Sequence, residues 1–270
     1  MIVEHLERTY TAYIFDLDGT IYLDDALLPT VTDTIDQLRA TGRRVLYLSN
    51  NPTRTHQNYA AKLTGLGLPT EAADVINSSL VMVHYLRQEM PGARLFVIGE
   101  TPLLEEVQAA GFLLEDDPRR IDAVIASFDR TFVYRKLQIA FDAIRAGARF
   151  FATNADRYCP VRQGGEPDAG AIIAAIEACT STQVELVAGK PSEYMSRAVL
   201  DRLQLPAEQC LLVGDRLETD IAMGQAAGMA TALTLTGATN ETEALNASTP
   251  PTYVIRRLSA LMTPKAVRRA

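Results

Sequence analysis

The chain has 270 residues, 47% hydrophobic and 22% charged, a balance that allows a sizeable buried core and excludes an intrinsically disordered protein. Lys and Arg number 26 against 33 Asp and Glu, and the net charge of −7 has the wrong sign for a surface that binds nucleic acid by counterion release. Cys159, Cys179 and Cys210 stand at wide spacings with no Cys-x-x-Cys pair, which argues against a disulfide framework or a thiolate zinc site and points to the cytoplasm.

The segment from Met1 to Thr11 carries Glu4, His5, Glu7 and Arg8 and lacks the apolar core of a signal peptide. No stretch approaches about 18 apolar residues, so no membrane span is expected. Beyond it, apolar runs at residues 10–15, 44–48, 75–77, 94–98, 123–128, 149–152, 184–187, 210–213 and 230–235 predict strands. Several are continuously apolar, as strands covered on both faces should be. Between them, Val31, Ile35 and Leu38 mark one amphipathic helix, and Leu137, Ala140, Phe141 and Ile144 another. Further helices are predicted over 55–66, 79–90, 103–110, 170–178, 193–203 and 219–227. Tyr47 and Phe141 fall at core spacings. The polar stretch 154–169, with Pro160, Gly164, Gly165 and Pro167, reads as a long exposed loop. Strands alternating with helices predict the α/β class with a parallel sheet, and the length has room for two domains.

The first strand runs into Phe15-Asp16-Leu17-Asp18-Gly19-Thr20, two carboxylates at i and i+2 that a continuing strand would place on one face. Anions this close call for a divalent metal or a shared proton, although a solvated turn would use the same residue types. Their place past the carboxyl end of a strand is where open α/β sheets bind ligands. Three further strand ends carry Leu48-Ser49-Asn50-Asn51-Pro52, Gly189-Lys190-Pro191-Ser192 and Val213-Gly214-Asp215-Arg216-Leu217-Glu218-Thr219-Asp220. Ser49 could donate its hydroxyl to a phosphate or simply cap a helix. Lys190 is a mobile point charge suited to phosphate. Asp215 and Asp220 add carboxylates that could reach a metal, directly or by orienting its waters, and Asp220 would equally suit the first turn of a helix.

In this order, the four motifs resemble those of the haloacid dehalogenase superfamily. Between the second and third, Ser127-Phe128-Asp129, Tyr134-Arg135-Lys136-Leu137 and the run from Gly147 to Asn154 resemble the α/β cap of its p-nitrophenyl phosphatase subfamily, with Ala155 where that subfamily commonly has Pro. The resemblance implies a doubly wound parallel-sheet core, residues 1–79 and 180–270, with an inserted α/β cap at 80–179. It implies a phosphatase in which Asp16 is the nucleophile and Asp18 the general acid and base. Asp16, Asp18 through its backbone carbonyl, and Asp215 would bind Mg²⁺, with Asp220 a ligand or just behind the ligands. Ser49, Asn50 and Lys190 would bind the phosphate, and Asn154, Asp156, Arg157 and Tyr158 of the cap would choose the substrate. The proposed ligands are all oxygens, which favours Mg²⁺ over Zn²⁺, and His5, His56 and His84 stand apart from the motifs. The partner implied is a small phosphorylated metabolite such as a sugar, nucleotide, glycolate, pyridoxal or p-nitrophenyl phosphate. No nucleic acid and no membrane is expected, and a homo-oligomer is compatible with the sequence. A dehalogenase, a phosphate-binding regulatory module and a phosphotransferase are the rival readings; Asp18 speaks against the first two, since neither halide loss nor binding needs an acid.

Overall fold

A computed structural model describes residues 2–161 and 164–262. The chain groups into two compact units, one formed by the described residues up to Leu48, Ala60–Val75 and those from Ser196 onward, the other by Ser49–Tyr59 and Ile76–Met195.

The first unit is built on a six-stranded sheet in the order Tyr253–Ile255, Ala230–Thr234, Cys210–Gly214, Ala12–Asp16, Arg44–Ser49, Val75–Asn77. Ala12–Asp16 runs parallel to both its neighbours, with Phe15 opposite Val213 and Asp16 opposite Leu48. Every residue of Ala12–Asp16, Cys210–Gly214 and Ala230–Thr234 is buried, which is why these strands read as unbroken apolar runs. From the central strand the chain first adds strands on one side and later returns to add them on the other. The strand order therefore reverses between Ala12–Asp16 and Cys210–Gly214, and such a reversal opens a crevice at the carboxyl ends of the two strands.

The second unit has its own five-stranded sheet, ordered Leu186–Val187, Arg149–Ala152, Ala123–Ala126, Arg94–Ile98, Leu113–Leu114, with parallel pairing throughout. The helices Tyr134–Arg145 and Ala169–Thr180 pack Ala140, Ile144, Ile172 and Ile176 onto Phe96, Val124 and Phe150 of that sheet. Among the described residues, no helix is long and apolar enough to cross a membrane.

All nine predicted strands are present, with ends shifted by a few residues. The predicted loop 154–169 is different: Tyr158–Val161 and Gly164–Pro167 form an antiparallel hairpin. Arg162 and Gln163, also part of that expected loop, lie outside the described residues. Its Gly and Pro content hides the strands, because a two-stranded ribbon needs no donor on its open edges. Gly165 is there for room, since a Cβ on it would meet the Tyr158 ring at 2.7 Å. The strand Tyr253–Ile255 and the short helix Glu241–Leu245 were too brief to register as periodicity. The helix predicted over 219–227 opens as one π-helical turn, Leu217–Ile221, before continuing as Ala222–Ala226. Tyr47 is fully buried, whereas Phe141 is only partly buried.

Candidate active site

Asp16 is the last residue of the central strand and is buried. The strand ends there and the chain bends at the buried Leu17, so the rule that puts i and i+2 on one face stops applying; Asp18 itself is exposed, in an isolated bridge to Tyr22. The bend is closed by backbone bonds from the Ile21 and Gly19 N–H groups to the Leu17 and Tyr22 carbonyls, both 2.9 Å. Asp18 Oδ2 stands 3.5 Å from the Tyr22 hydroxyl. Gly19 has φ +89°, the left-handed region that favours glycine, and a Cβ there would lie 2.6 Å from Asp215 Oδ2.

Asp215 follows Cys210–Gly214, and Asp220 comes up from the π-helical turn just beyond. One carboxylate oxygen from each of Asp16, Asp215 and Asp220 lies within 4.8 Å of the others, and all three residues are buried. An inserted π turn is a recurrent way of re-aiming a side chain at a functional site. Asp220 Oδ2 accepts the Arg216 N–H at 3.2 Å, and its carboxylate fills the space beside Gly214, where a Cβ would come within 2.2 Å of Cγ. The sequence reading missed the loop that holds Asp215. The Ala238 N–H donates to Asp215 Oδ2 at 2.6 Å, the Thr239 N–H to the Asp215 carbonyl at 3.2 Å, and the Thr236 hydroxyl to the Gly19 carbonyl at 2.7 Å. A Cβ on Gly237 would sit 2.0 Å from Asp215 Oδ2. Thr236-Gly237 at the end of a strand was the available signal, and it looks the same as an ordinary turn.

Three buried carboxylates this close repel one another, and a divalent cation relieves that repulsion. The donor set is wholly oxygen, the kind that suits magnesium, calcium or manganese. Cys210 opens the adjacent strand at the end opposite Asp215, and burial pushes its thiol up to about 11. His56 is engaged with Glu106 at 3.2 Å, and His5 faces the Met262 carbonyl at 3.1 Å, so neither belongs to the cluster.

The second unit gathers the other motif residues. Ser49 Oγ donates to the Tyr59 hydroxyl at 3.2 Å and accepts the Asn51 N–H at 3.1 Å. Lys190 is buried, 4% exposed. Asn50 is engaged at both ends of its amide: Oδ1 accepts the Lys190 N–H at 2.7 Å, while Nδ2 donates to the Lys190 carbonyl at 3.1 Å and to Asp156 Oδ2 at 3.0 Å. Asn154 has no exposed surface, and its Nδ2 donates to Asp156 Oδ2 at 3.0 Å and to Asp168 Oδ1 at 3.1 Å. Arg157 and Tyr158 are exposed. Asp129 of the cap motif serves its own loop, accepting the Thr131 N–H at 2.8 Å and pairing with Lys136. The four residues expected to choose the substrate thus divide into a buried pair, Asn154 with the partly buried Asp156, and an exposed pair.

Two family models match this chain: haloacid dehalogenase-like hydrolase over residues 13–113 and a second model of that group over residues 187–261. The sugar-phosphatase AraL of Bacillus subtilis is 36% identical over 230 residues, 85% of each chain. An acid sugar phosphatase of Staphylococcus saprophyticus is 32% identical, over 94% of this chain and 98% of its own. The crystal structure of a 4-nitrophenylphosphatase from Thermotoga maritima superposes with a TM-score of 0.89 at 33% identity, covering 93% of this chain and 95% of that one.

Proposed function

Because the chain belongs to the haloacid dehalogenase-like hydrolases, we propose that it is a magnesium-dependent phosphatase that cleaves small phosphate monoesters through an aspartyl-phosphate on Asp16. The observation that carries this reading is the convergence of Asp16, Asp215 and Asp220 at the strand-order reversal, with Asp18 two residues past the nucleophile. Asp16, Asp215 and Asp220, with the backbone carbonyl of Asp18, would hold Mg²⁺. Bound there, the ion would neutralise charge on the phosphate oxygens.

The Asp16 carboxylate attacks phosphorus in line as the bond to the ester oxygen breaks, and Asp18 gives that oxygen its proton. Asp18, now a carboxylate, takes a proton from water; the water attacks the phosphorus of the aspartyl-phosphate, and inorganic phosphate leaves with Asp16 restored. Ser49 and Lys190 hold the phosphate oxygens during both displacements. The core is residues 1–79 with 180–270 and the cap is 80–179, whose exposed Arg157 and Tyr158 contact the organic part of the substrate. Sugar phosphates lead the candidates, because relatives of similar length carry that activity in their names.

The test is phosphate release from a panel of sugar, nucleotide, glycerol, glycolate and pyridoxal phosphates and p-nitrophenyl phosphate, with magnesium and with chelator. Asp16→Asn keeps the shape of the nucleophile but not its charge, and is expected to abolish turnover of every ester. Wild-type-like turnover by that variant, or no magnesium-dependent release from any ester by the native chain, would sink the proposal.

A further inference from the structure

Asn50 and Asp156 form a clamp on the loop that carries Lys190. The Asn50 amide spans the Lys190 backbone, taking its N–H at 2.7 Å and giving to its carbonyl at 3.1 Å, and so ties down the peptide groups on both sides of that residue. The second Nδ2 proton goes to Asp156 Oδ2 at 3.0 Å, so Asp156 fixes the plane of the amide. Asp156 is itself held by Asn154 at 3.0 Å. Asn154 is tied in turn to Asp168 at 3.1 Å and to the Thr153 hydroxyl at 2.9 Å, and Thr153 to Ser127 at 2.8 Å. Asp168 caps the helix Ala169–Thr180 through the Ala169 N–H at 2.5 Å. Gly189 is the space this arrangement demands: a Cβ on it would fall 2.6 Å from Asn50 Oδ1 and 2.8 Å from the Thr153 carbonyl.

From this geometry we infer that Asn50 and Asp156 are positioning residues for Lys190, one contacting the lysine peptide and the other holding that contact from the foot of the hairpin. The Asn50 side chain is therefore no phosphate ligand, since both its donor protons are already in use. Asp156 acts on the phosphate end of the substrate through Asn50, and the organic end is left to the exposed Arg157 and Tyr158 beside it. The inference rests on Lys190 being the phosphate's cation, as proposed above.

The experiment measures binding of inorganic phosphate by calorimetry at saturating magnesium, alongside kcat and KM for the panel. Inorganic phosphate has no organic part, so a residue that only chooses substrates would leave its affinity unchanged. Asn50→Ala, which removes all three bonds, and Asp156→Ala, which frees the Asn50 amide to turn, are each expected to weaken phosphate binding on the order of tenfold. The double variant should be no weaker than either single, because both break the same clamp. Asp156→Asn keeps an oxygen for both amide donors and should restore native affinity. Should Asp156→Ala not fold, Asp156→Glu keeps the charge but shifts the oxygens by a methylene, and should weaken phosphate binding as the alanine does. Native phosphate affinity in Asp156→Ala, or losses that multiply in the double variant, would overturn the clamp. If the native chain turns over no ester but still binds phosphate in this Asn50- and Asp156-dependent way, the phosphatase reading fails and the clamp stands.

Discussion

Gly237→Ala tests the Asp215 cradle without straining the backbone. Gly237 is exposed and lies outside the left-handed region, so the substitution would ordinarily be neutral or would stabilise by about 0.4–1 kcal/mol through the unfolded state. Here the new methyl would stand 2.0 Å from Asp215 Oδ2, 2.6 Å from its Cγ and 2.7 Å from its Cβ, where ordinary contact begins at 3.4 Å. The carboxylate must withdraw by more than an ångström, and it loses the Ala238 N–H that now reaches it at 2.6 Å. Losing a hydrogen bond to a charged group costs roughly 1.5–3 kcal/mol, which as lost metal affinity is at least about tenfold. The expected result is a rise of about that factor in the magnesium concentration giving half-maximal hydrolysis of p-nitrophenyl phosphate, with the melting temperature in chelator little changed. If the melting temperature falls while the magnesium titration overlays that of the native chain, the loop has yielded and Asp215 has stayed, and the reasoning is wrong.

Asp18→Asn should lower kcat/KM for an alkyl phosphate by on the order of tenfold more than for p-nitrophenyl phosphate, whose phenolate departs without a proton. An equal loss on both substrates, with cleavage rate-limiting for both, would remove Asp18 as the general acid. Arg157→Ala and Tyr158→Ala should change kcat/KM unequally across the panel, and uniform effects would assign these side chains to stability or closure instead. Glu100 is held below the usual carboxylate range chiefly by the Arg130 guanidinium, which reaches it through Nε at 2.7 Å and Nη2 at 2.8 Å. A lowered folded-state value means its stabilisation is complete above about pH 4.5 and is lost as the pH falls through the lower folded value. The melting-temperature gap between the native chain and Glu100→Gln should therefore be widest near neutrality and close in acid, and a gap constant from pH 7 to pH 3 would refute it.

What the sequence made legible were the features whose cause is local. Continuous apolar runs located the sheet strands because both faces of those strands are covered, and Asp16 and Asp215 stood out because each directly follows such a run. The features that escaped depend on contacts distant along the chain. The Thr236 hydroxyl reaches the Gly19 carbonyl across 217 residues, and no local pattern distinguishes that threonine from a turn residue. Asn50 was placed correctly beside Ser49, but its partners, Lys190 and Asp156, lie 140 and 106 residues away, and they alone show that its amide is already spent. The strand's alternation does not extend to Asp18, because the strand ends at Asp16.

The site follows from the strand order more than from any one motif. Phe15 and Val213 are register partners at the reversal, so Asp16, one residue past the first, and Asp215, two residues past the second, emerge at the same end of neighbouring strands. Bringing a third carboxylate to the same point would be unfavourable in a rigid apolar wall. Asp220 arrives instead on a π turn and Asp215 is met by a backbone N–H, so both carry hydrogen-bond partners of their own. Two glycines, Gly19 and Gly237, leave the space that lets Asp215 stand this close to its neighbours. Within the second unit, the Asn50 amide holds the Lys190 backbone and is itself held by Asp156 at the foot of the hairpin.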